Sequence, residues 1–222
     1  MYMLYYGRVP ASRYMSAGPR TPLIDPSGYI KAVGDPFRHG VFVFIGYSLG
    51  VVISLWLIME WIIVRIDPLA PEVRPTWYRL FIPLAIMFFI VTVVSWLIIA
   101  GVIHLVVGGS KTEGSFEEAL GIAGWSYAPE LVSLPVTVGI AYLDLRGVSF
   151  DGDNPERAIQ ELEALTMDAT GLFGIVLFLL VTVWSVYILA EAVTETHEVA
   201  RDRAWLAAII VGVGSVLVHL VF

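Results

Sequence analysis

The sequence predicts an all-α, polytopic membrane protein, a bundle of about five transmembrane helices. Of its 222 residues, 58% are hydrophobic, whereas an average soluble domain has roughly 45–50% apolar residues. The apolar residues are gathered into five blocks, and each block is long enough to cross a bilayer with some tilt. The predicted spans are about 41–64, 80–107, 120–143, 170–190 and 204–222.

The chain before the first span is polar and rich in glycine and proline. Residues 1–40 contain five basic residues against Asp25 and Asp35. The opening apolar run is too short for a signal peptide, and Arg8 interrupts it. The stretch DPSGYIKAVGDPF indicates a short surface helix between two prolines. We therefore divide the chain into an N-terminal segment, 1–36, and a membrane domain, 37–222.

The first apolar block contains Gly46 and Gly50, which form a G-x-x-x-G pattern. Small residues at this spacing let helix backbones approach closely. The pattern predicts a packing seam, either within one chain or between chains.

The third apolar block is the least regular. It follows Ser115 and Glu118, whose spacing predicts a capping box and therefore a helix that begins at Phe116. We expect this helix to lie on the inner surface as far as about Trp125. The helix is half polar, and its first apolar residues let it lean on the bundle.

Two prolines and a carboxylate interrupt the same block, in the stretch APELVSLP. Pro129 predicts a bend that leaves carbonyl groups unpaired near 123–125, and Pro135 marks a second candidate kink. We expect the membrane span to begin at Glu130, which would then lie near the bend at a shallow depth.

A further helix is predicted between the third and fourth spans. Asp153 or Asn154 can cap it, and the proline that follows suits its first position. Ile159, Leu162 and Leu165 fall at helical spacing on an otherwise acidic segment. This pattern predicts a short amphipathic helix outside the membrane that covers one end of the bundle.

The charged residues predict an orientation. With the N-terminus in the cytoplasm, the inside segments carry eight lysine and arginine residues and the outside segments carry five. The positive-inside rule therefore predicts a multi-pass cell-membrane protein with a cytoplasmic N-terminus and its C-terminus outside. The net charge of −7 and the presence of only two lysines favour a halophilic archaeon as the source.

Three ionisable residues are candidates for an intramembrane polar site: His104, Glu130 and Glu191. A charge at the centre of a span costs about 2.5–3.5 kcal/mol on insertion scales. Counted from the helix ends, the three could lie at similar depths and bind a cation or pass protons. The alternative is that His104 and Glu191 lie at the headgroup level while Glu130 bonds backbone groups freed by the prolines.

Other site chemistries lack a pattern in this sequence. The absence of cysteine excludes disulfides, thiolate nucleophiles and cysteine-ligated metals. GGSKTEG lacks the glycine that a phosphate-binding loop has directly before its lysine. Neither a catalytic constellation nor a basic, aromatic nucleic-acid surface is visible. We predict that the protein is not an enzyme and has no cofactor, no metal and no nucleic-acid partner.

The order of these segments resembles the Yip1 family of five-span membrane proteins. Three stretches carry the resemblance: PLIDPSGYIKAVGDP before the first span, GGSKTEGSFEEALGIAGWSYAPELVSLP in the centre, and WSVYILAEAVTETHEVARDRAWLAAI at the fourth-span exit. Together they place the likeness over roughly residues 21–222.

The resemblance implies a cytoplasmic N-terminus and no catalytic residues. Eukaryotic members are implicated in vesicle trafficking and interact with small Rab-type GTPases and with one another. This chain departs from them in its short N-terminal segment and in GWSYAPE, so we do not carry GTPase binding over to it. The expected function is a scaffold or adaptor that contacts the lipid bilayer and binds other membrane proteins or itself. The alternative is a small proton- or cation-coupled carrier.

Overall fold

The computed structural model describes residues 21–32, 35–67, 73–107, 115–151 and 172–221, with isolated positions between 154 and 164. These residues form a helical bundle. Its helices are α1 (Pro26–Ala32), α2 (Pro36–Val64), α3 (Val73–Val107), α4 (Phe116–Trp125), α5 (Ala128–Leu145), α6 (Leu172–Thr196) and α7 (Arg201–Val221). Two strands of two residues each, β1 (Ile66–Asp67) and β2 (Phe150–Asp151), pair in parallel.

The five predicted spans are confirmed. Five helical stretches are long and apolar enough to cross a membrane, and their ends differ from the predicted bounds by up to six residues. The first begins earlier than predicted because Asp35 caps α2, its Oδ1 accepting a hydrogen bond from Arg38 N at 3.0 Å. The stretches are Phe37–Val64, Tyr78–Val107, Phe116–Leu145, Phe173–Thr196 and Arg201–His219.

The third span is two helices, α4 and α5, joined by Ser126 and Tyr127. The break precedes Pro129, as the prolines predict, whereas α5 continues through Pro135. Two of the three carbonyls expected to be unpaired have partners. Ser126 Oγ donates to Ala123 O at 2.7 Å, and Tyr127 N donates to Gly124 O at 3.3 Å.

The helix α4 lies inside the bundle, whereas we predicted that it leans on the bundle at the inner membrane surface. Ser115 and Glu118 do form the reciprocal bonds of a capping box. Beyond that first turn, however, every residue from Gly121 to Trp125 is buried. The small residues of α4 allow it to pack tightly in the core, against α2, α3 and α6.

Three glycines form a close backbone contact between two helices. Gly40 of α2 meets Gly121 and Gly124 of α4, backbone against backbone. A Cβ atom added at Gly40 would overlap the Gly121 carbonyl group, and one added at Gly124 would overlap the Gly40 carbonyl group. This crossing brings α2 and α4 side by side and sets the position of α5 behind it.

The N-terminal segment packs along the bundle. Trp184 Nε1 of α6 donates to Leu23 O at 2.8 Å, and Ser27 Oγ donates to Glu191 Oε2 at 2.8 Å. Lys31 lies 2.9 Å from Glu195. Since these contacts advance together along both helices, α1 runs beside the last turns of α6. The predicted short helix is present, but it lies against α6.

The bundle has two distinct ends. We call the end with α1, the start of α4 and the turn between α6 and α7 the α1 end. We call the other, where β1 pairs with β2, the β end. Beyond β2, Asn154 Oδ1 accepts from Arg157 N at 3.1 Å, as an N-cap does. The predicted apolar face of that helix, Ile159, Leu162 and Leu165, lies outside the described residues.

Candidate functional site

A groove with a volume of about 470 Å³ lies between α5 and α6. We call it the α5–α6 groove. Most of its wall is apolar, and α2 and α7 add one residue each, Tyr47 and His219. Ser185 Oγ of α6 donates to Ser126 O, just before the start of α5, at 2.8 Å. The groove extends from just beyond that contact towards the β end.

Polar side chains follow one face of α5 along this groove. Glu130, Ser133 and Thr137 succeed one another at intervals of three and four residues, which places them on the same side of a helix. Ser133 Oγ donates to Glu130 O at 2.8 Å, and Thr137 Oγ1 donates to Ser133 O at 3.3 Å. Because each hydroxyl donor is used by the backbone, its oxygen faces the groove as an acceptor.

Glu130 lies at the inner limit of the groove. It is half-buried in the first turn of α5, where the positive end of the helix dipole favours a carboxylate. The Tyr47 hydroxyl lies within hydrogen-bonding reach of the carboxylate, and Tyr127 is close enough to interact electrostatically. Among the described residues, no lysine, arginine or histidine forms an ion pair with Glu130.

The bend lies inside the bundle, and Glu130 lies next to it in the first turn of α5. Tyr47, the neighbour of Glu130, lies eleven residues beyond the start of α2 at Pro36, or about 16 Å along a helix that is roughly 43 Å long. The helix α4 occupies the first part of the span. Glu130 therefore lies towards the middle of the membrane-spanning bundle.

The other predicted site residues have different surroundings. Glu191 forms an ion pair with Arg201 and accepts the hydrogen bond from Ser27. It lies six residues from Ser185 towards the α1 end, whereas Glu130 lies four residues from Ser126 towards the β end. At 1.5 Å per residue, the two carboxylates are about 15 Å apart in depth.

His104 lies at the α1 end, where its ring meets Phe116 edge-on at 5.6 Å. Next to it is His197, in the turn after α6, with 1% of its surface exposed and no hydrogen-bond partner for either ring nitrogen among the described residues. Burial lowers the pKa of His197; Glu118 opposes this shift, and His104 adds to it. The structure thus groups His104 with Glu118 and His197, apart from Glu130 and Glu191.

The predicted structural residues lie at helix contacts. Gly46 and Gly50 face Leu131 and Leu134 of α5 within the same chain. Pro129 is buried in the first turn of α5. Within the described ranges, no group of three histidine, aspartate or glutamate side chains is placed to hold a metal ion.

Several groove residues were missed by sequence reasoning. The spacing of Glu130, Ser133 and Thr137 is a usable signal, because it marks one polar face on an otherwise apolar helix. Tyr47 and Thr182 come from other helices, and only the packing of α2 and α6 brings them to the groove. His219 stacks on Phe178, with ring centroids 4.0 Å apart, and faces the groove near the β end.

Comparison with known proteins identifies the family. A 54-residue stretch is 44% identical to the uncharacterized protein MJ0794 of Methanocaldococcus jannaschii, covering 24% of this chain and 38% of that protein. No solved structure matches the chain. The family model of the Yip1 domain matches residues 23–222, which include all five spans and the groove. The chain therefore belongs to the Yip1 domain family.

Proposed function

We propose that the chain is a non-enzymatic scaffold of the cell membrane that binds a partner membrane protein from the side. The observation that carries this proposal is the α5–α6 groove, which exposes the polar face of Glu130, Ser133 and Thr137 on a membrane-spanning helix. A polar face of this kind is costly against lipid and is typical of contact between membrane helices.

The walls of the groove also suit a helix contact. Gly174 on α6 and Ala141 on α5 lie towards the β end, and Ser133 lies deeper. Small residues of this kind let a neighbouring backbone approach closely and gain van der Waals contact. The positive-inside count supports a cytoplasmic α1 end and an outward-facing β end, and we include this orientation in the proposal.

Site-specific photocrosslinking in native membranes tests the proposal. A photoreactive residue at Thr137 should give a discrete crosslinked protein band. The same residue at Ile98, which is 59% exposed on α3, is the matched control and should react with lipid. The proposal fails if Thr137 gives only the lipid products expected at Ile98, since Thr137 would then contact lipid alone.

A second function, a proton or cation carrier, is favoured by one observation. Glu130 also lines a smaller cavity of about 40 Å³, on the side of Ser126, Ser185 and Ser215. A carboxylate between two cavities is an arrangement that a relay could use. The carrier proposal requires that the purified chain in liposomes conduct protons or monovalent cations and that Glu130→Gln abolish the flux. An equal flux in empty liposomes would contradict it.

A further inference from the structure

We infer that the partner of the α5–α6 groove is a transmembrane helix with a lysine or arginine at mid-span, and that this cation pairs with Glu130. The inference rests on the proposed scaffold function and names the chemistry of its partner. Among the described residues, some charged side chains have no partner of opposite charge.

Three other acidic residues near the spans have partners within the chain, whereas Asp144, in the last turn of α5, has a buried Oδ2 atom with no hydrogen-bond partner among the described residues. Glu191 pairs with Arg201, Glu195 with Lys31, and Glu60 accepts a hydrogen bond from Tyr78 at 2.8 Å. Glu130 has the Tyr47 hydroxyl and, among the described residues, no cation. A carboxylate at membrane depth usually pairs with an opposite charge or faces water.

The groove presents acceptors around this carboxylate. The hydroxyls of Ser133 and Thr137 donate to backbone carbonyls within α5, which leaves their oxygens available to accept from a ligand. Lysine and arginine side chains have donors and no acceptors. A basic side chain therefore complements Glu130 and the hydroxyls together, whereas a second carboxylate or a carbonyl group would meet like groups.

The depth of Glu130 favours a spanning helix over a lipid headgroup as the source of the cation. The carboxylate lies level with Tyr47, about 16 Å inside α2, and the groove continues from it towards the β end. The headgroups of a bilayer lie outside its hydrocarbon core of about 30 Å. Only a side chain of a membrane-spanning element places a fixed cation at this level.

A second copy of the chain does not supply that cation. The arginines of its candidate spans lie within the first three residues of a span, namely Arg38, Arg79, Arg201 and Arg203. The spans Phe116–Leu145 and Phe173–Thr196 contain no basic residue. The partner is therefore a different chain, and His219, at the β end of the groove, is the other titratable side chain that it would meet.

Model transmembrane peptides test the inference directly. Because the chain has no cysteine, Gly147→Cys gives one labelling site at the end of α5, where an added side chain meets nothing within 4 Å. The full-length labelled protein in liposomes is mixed with acceptor-labelled leucine-rich helices that carry lysine, glutamine or leucine at mid-span. Energy transfer then gives the affinity for each peptide.

The lysine peptide should bind about tenfold or more tightly than the leucine peptide, and Glu130→Gln should remove this preference. Glu60→Gln is the matched control, because Glu60 is also a span glutamate beside a tyrosine hydroxyl but does not line the groove. It should leave the preference unchanged. Circular dichroism of both variants checks that they fold.

Each other outcome overturns the inference. Equal binding of the three peptides, or a preference that survives Glu130→Gln, excludes the ion pair. Energy transfer between two labelled copies that depends on Glu130 would make a second copy the occupant. If the peptides fail but Thr137 still crosslinks a discrete protein, the scaffold function stands without the basic partner; if both fail, the scaffold function falls as well.

Discussion

Replacing Gly40 with alanine tests the helix crossing on which the groove depends. Gly40 meets Gly121 and Gly124 of α4 with no side chain between the two backbones. A Cβ atom on Gly40 would overlap the Gly121 carbonyl oxygen and lie 2.7 Å from its carbon. Neither obstacle can rotate away, because both belong to the backbone of a buried helix.

The cost follows from the distance that α2 and α4 must separate. Non-bonded carbon atoms prefer about 3.5–4.0 Å, so the helices have to move apart by about 1 Å. Overpacking a core typically costs 1–3 kcal/mol, and we expect about 3 kcal/mol here because the shift loosens every contact along α4. For a chain of 222 residues, that corresponds to a decrease in Tm of roughly 6–12 °C.

Thermal unfolding in detergent, followed by tryptophan fluorescence, measures this change. Gly101→Ala and Gly139→Ala are matched controls, since an added Cβ meets nothing within 4 Å at either position. They should be neutral or more stable by up to about 1 kcal/mol, because alanine favours a helix. A Gly40→Ala variant as stable as these controls would refute the backbone contact.

Three further predictions concern the α1 end. Burial lowers the pKa of His197, so the unfolded chain binds a proton at His197 more readily than the folded chain. Stability should therefore fall as the pH decreases below about 6.5. Denaturant titrations at several pH values should show that His197→Gln flattens this dependence. Ser115→Ala removes the cap of α4 and should cost about 1 kcal/mol in the same titrations. Trp184→Phe leaves the Leu23 carbonyl without its donor, which should cost about 1–3 kcal/mol and speed tryptic cleavage at Lys31.

Each of these predictions has a contradicting outcome. A pH dependence identical in wild type and His197→Gln would assign the loss of stability to other groups. Ser115→Thr keeps a hydroxyl cap, so a loss equal to that of Ser115→Ala would exclude capping as the cause. Unchanged cleavage at Lys31 in Trp184→Phe would show that α1 is held by its other contacts.

The sequence predicts the five spans, the break before Pro129 and the first turn of α4, because each depends on residues close together in the chain. Hydropathy identifies the spans, and the spacing of Ser115 and Glu118 identifies the cap. The burial of α4 could not be predicted in this way. Its glycines match Gly40, which is about 80 residues earlier, and only the packed bundle brings them together.

The candidate site was predicted in part. Glu130 is a groove residue, and its helical spacing to Ser133 and Thr137 could have indicated one polar face. Its position along the bundle depends on how α4 packs, and residues close to Glu130 in the sequence do not determine that packing. The proposed association with His104 and Glu191 assumed equal depths, whereas the contact between Ser126 and Ser185 places the two glutamates on opposite sides of it.

The packing of α1 against α6 has a consequence for biogenesis. Ser27 and Glu191 are 164 residues apart in the sequence. At about 5–20 residues per second, a ribosome needs roughly 8–33 s to synthesise the chain between them. Throughout this interval the N-terminal segment has been made but its binding site on the fourth span has not. The docking of α1 is therefore a late step of assembly, and a nascent chain that stops before α6 lacks the surface that holds its beginning.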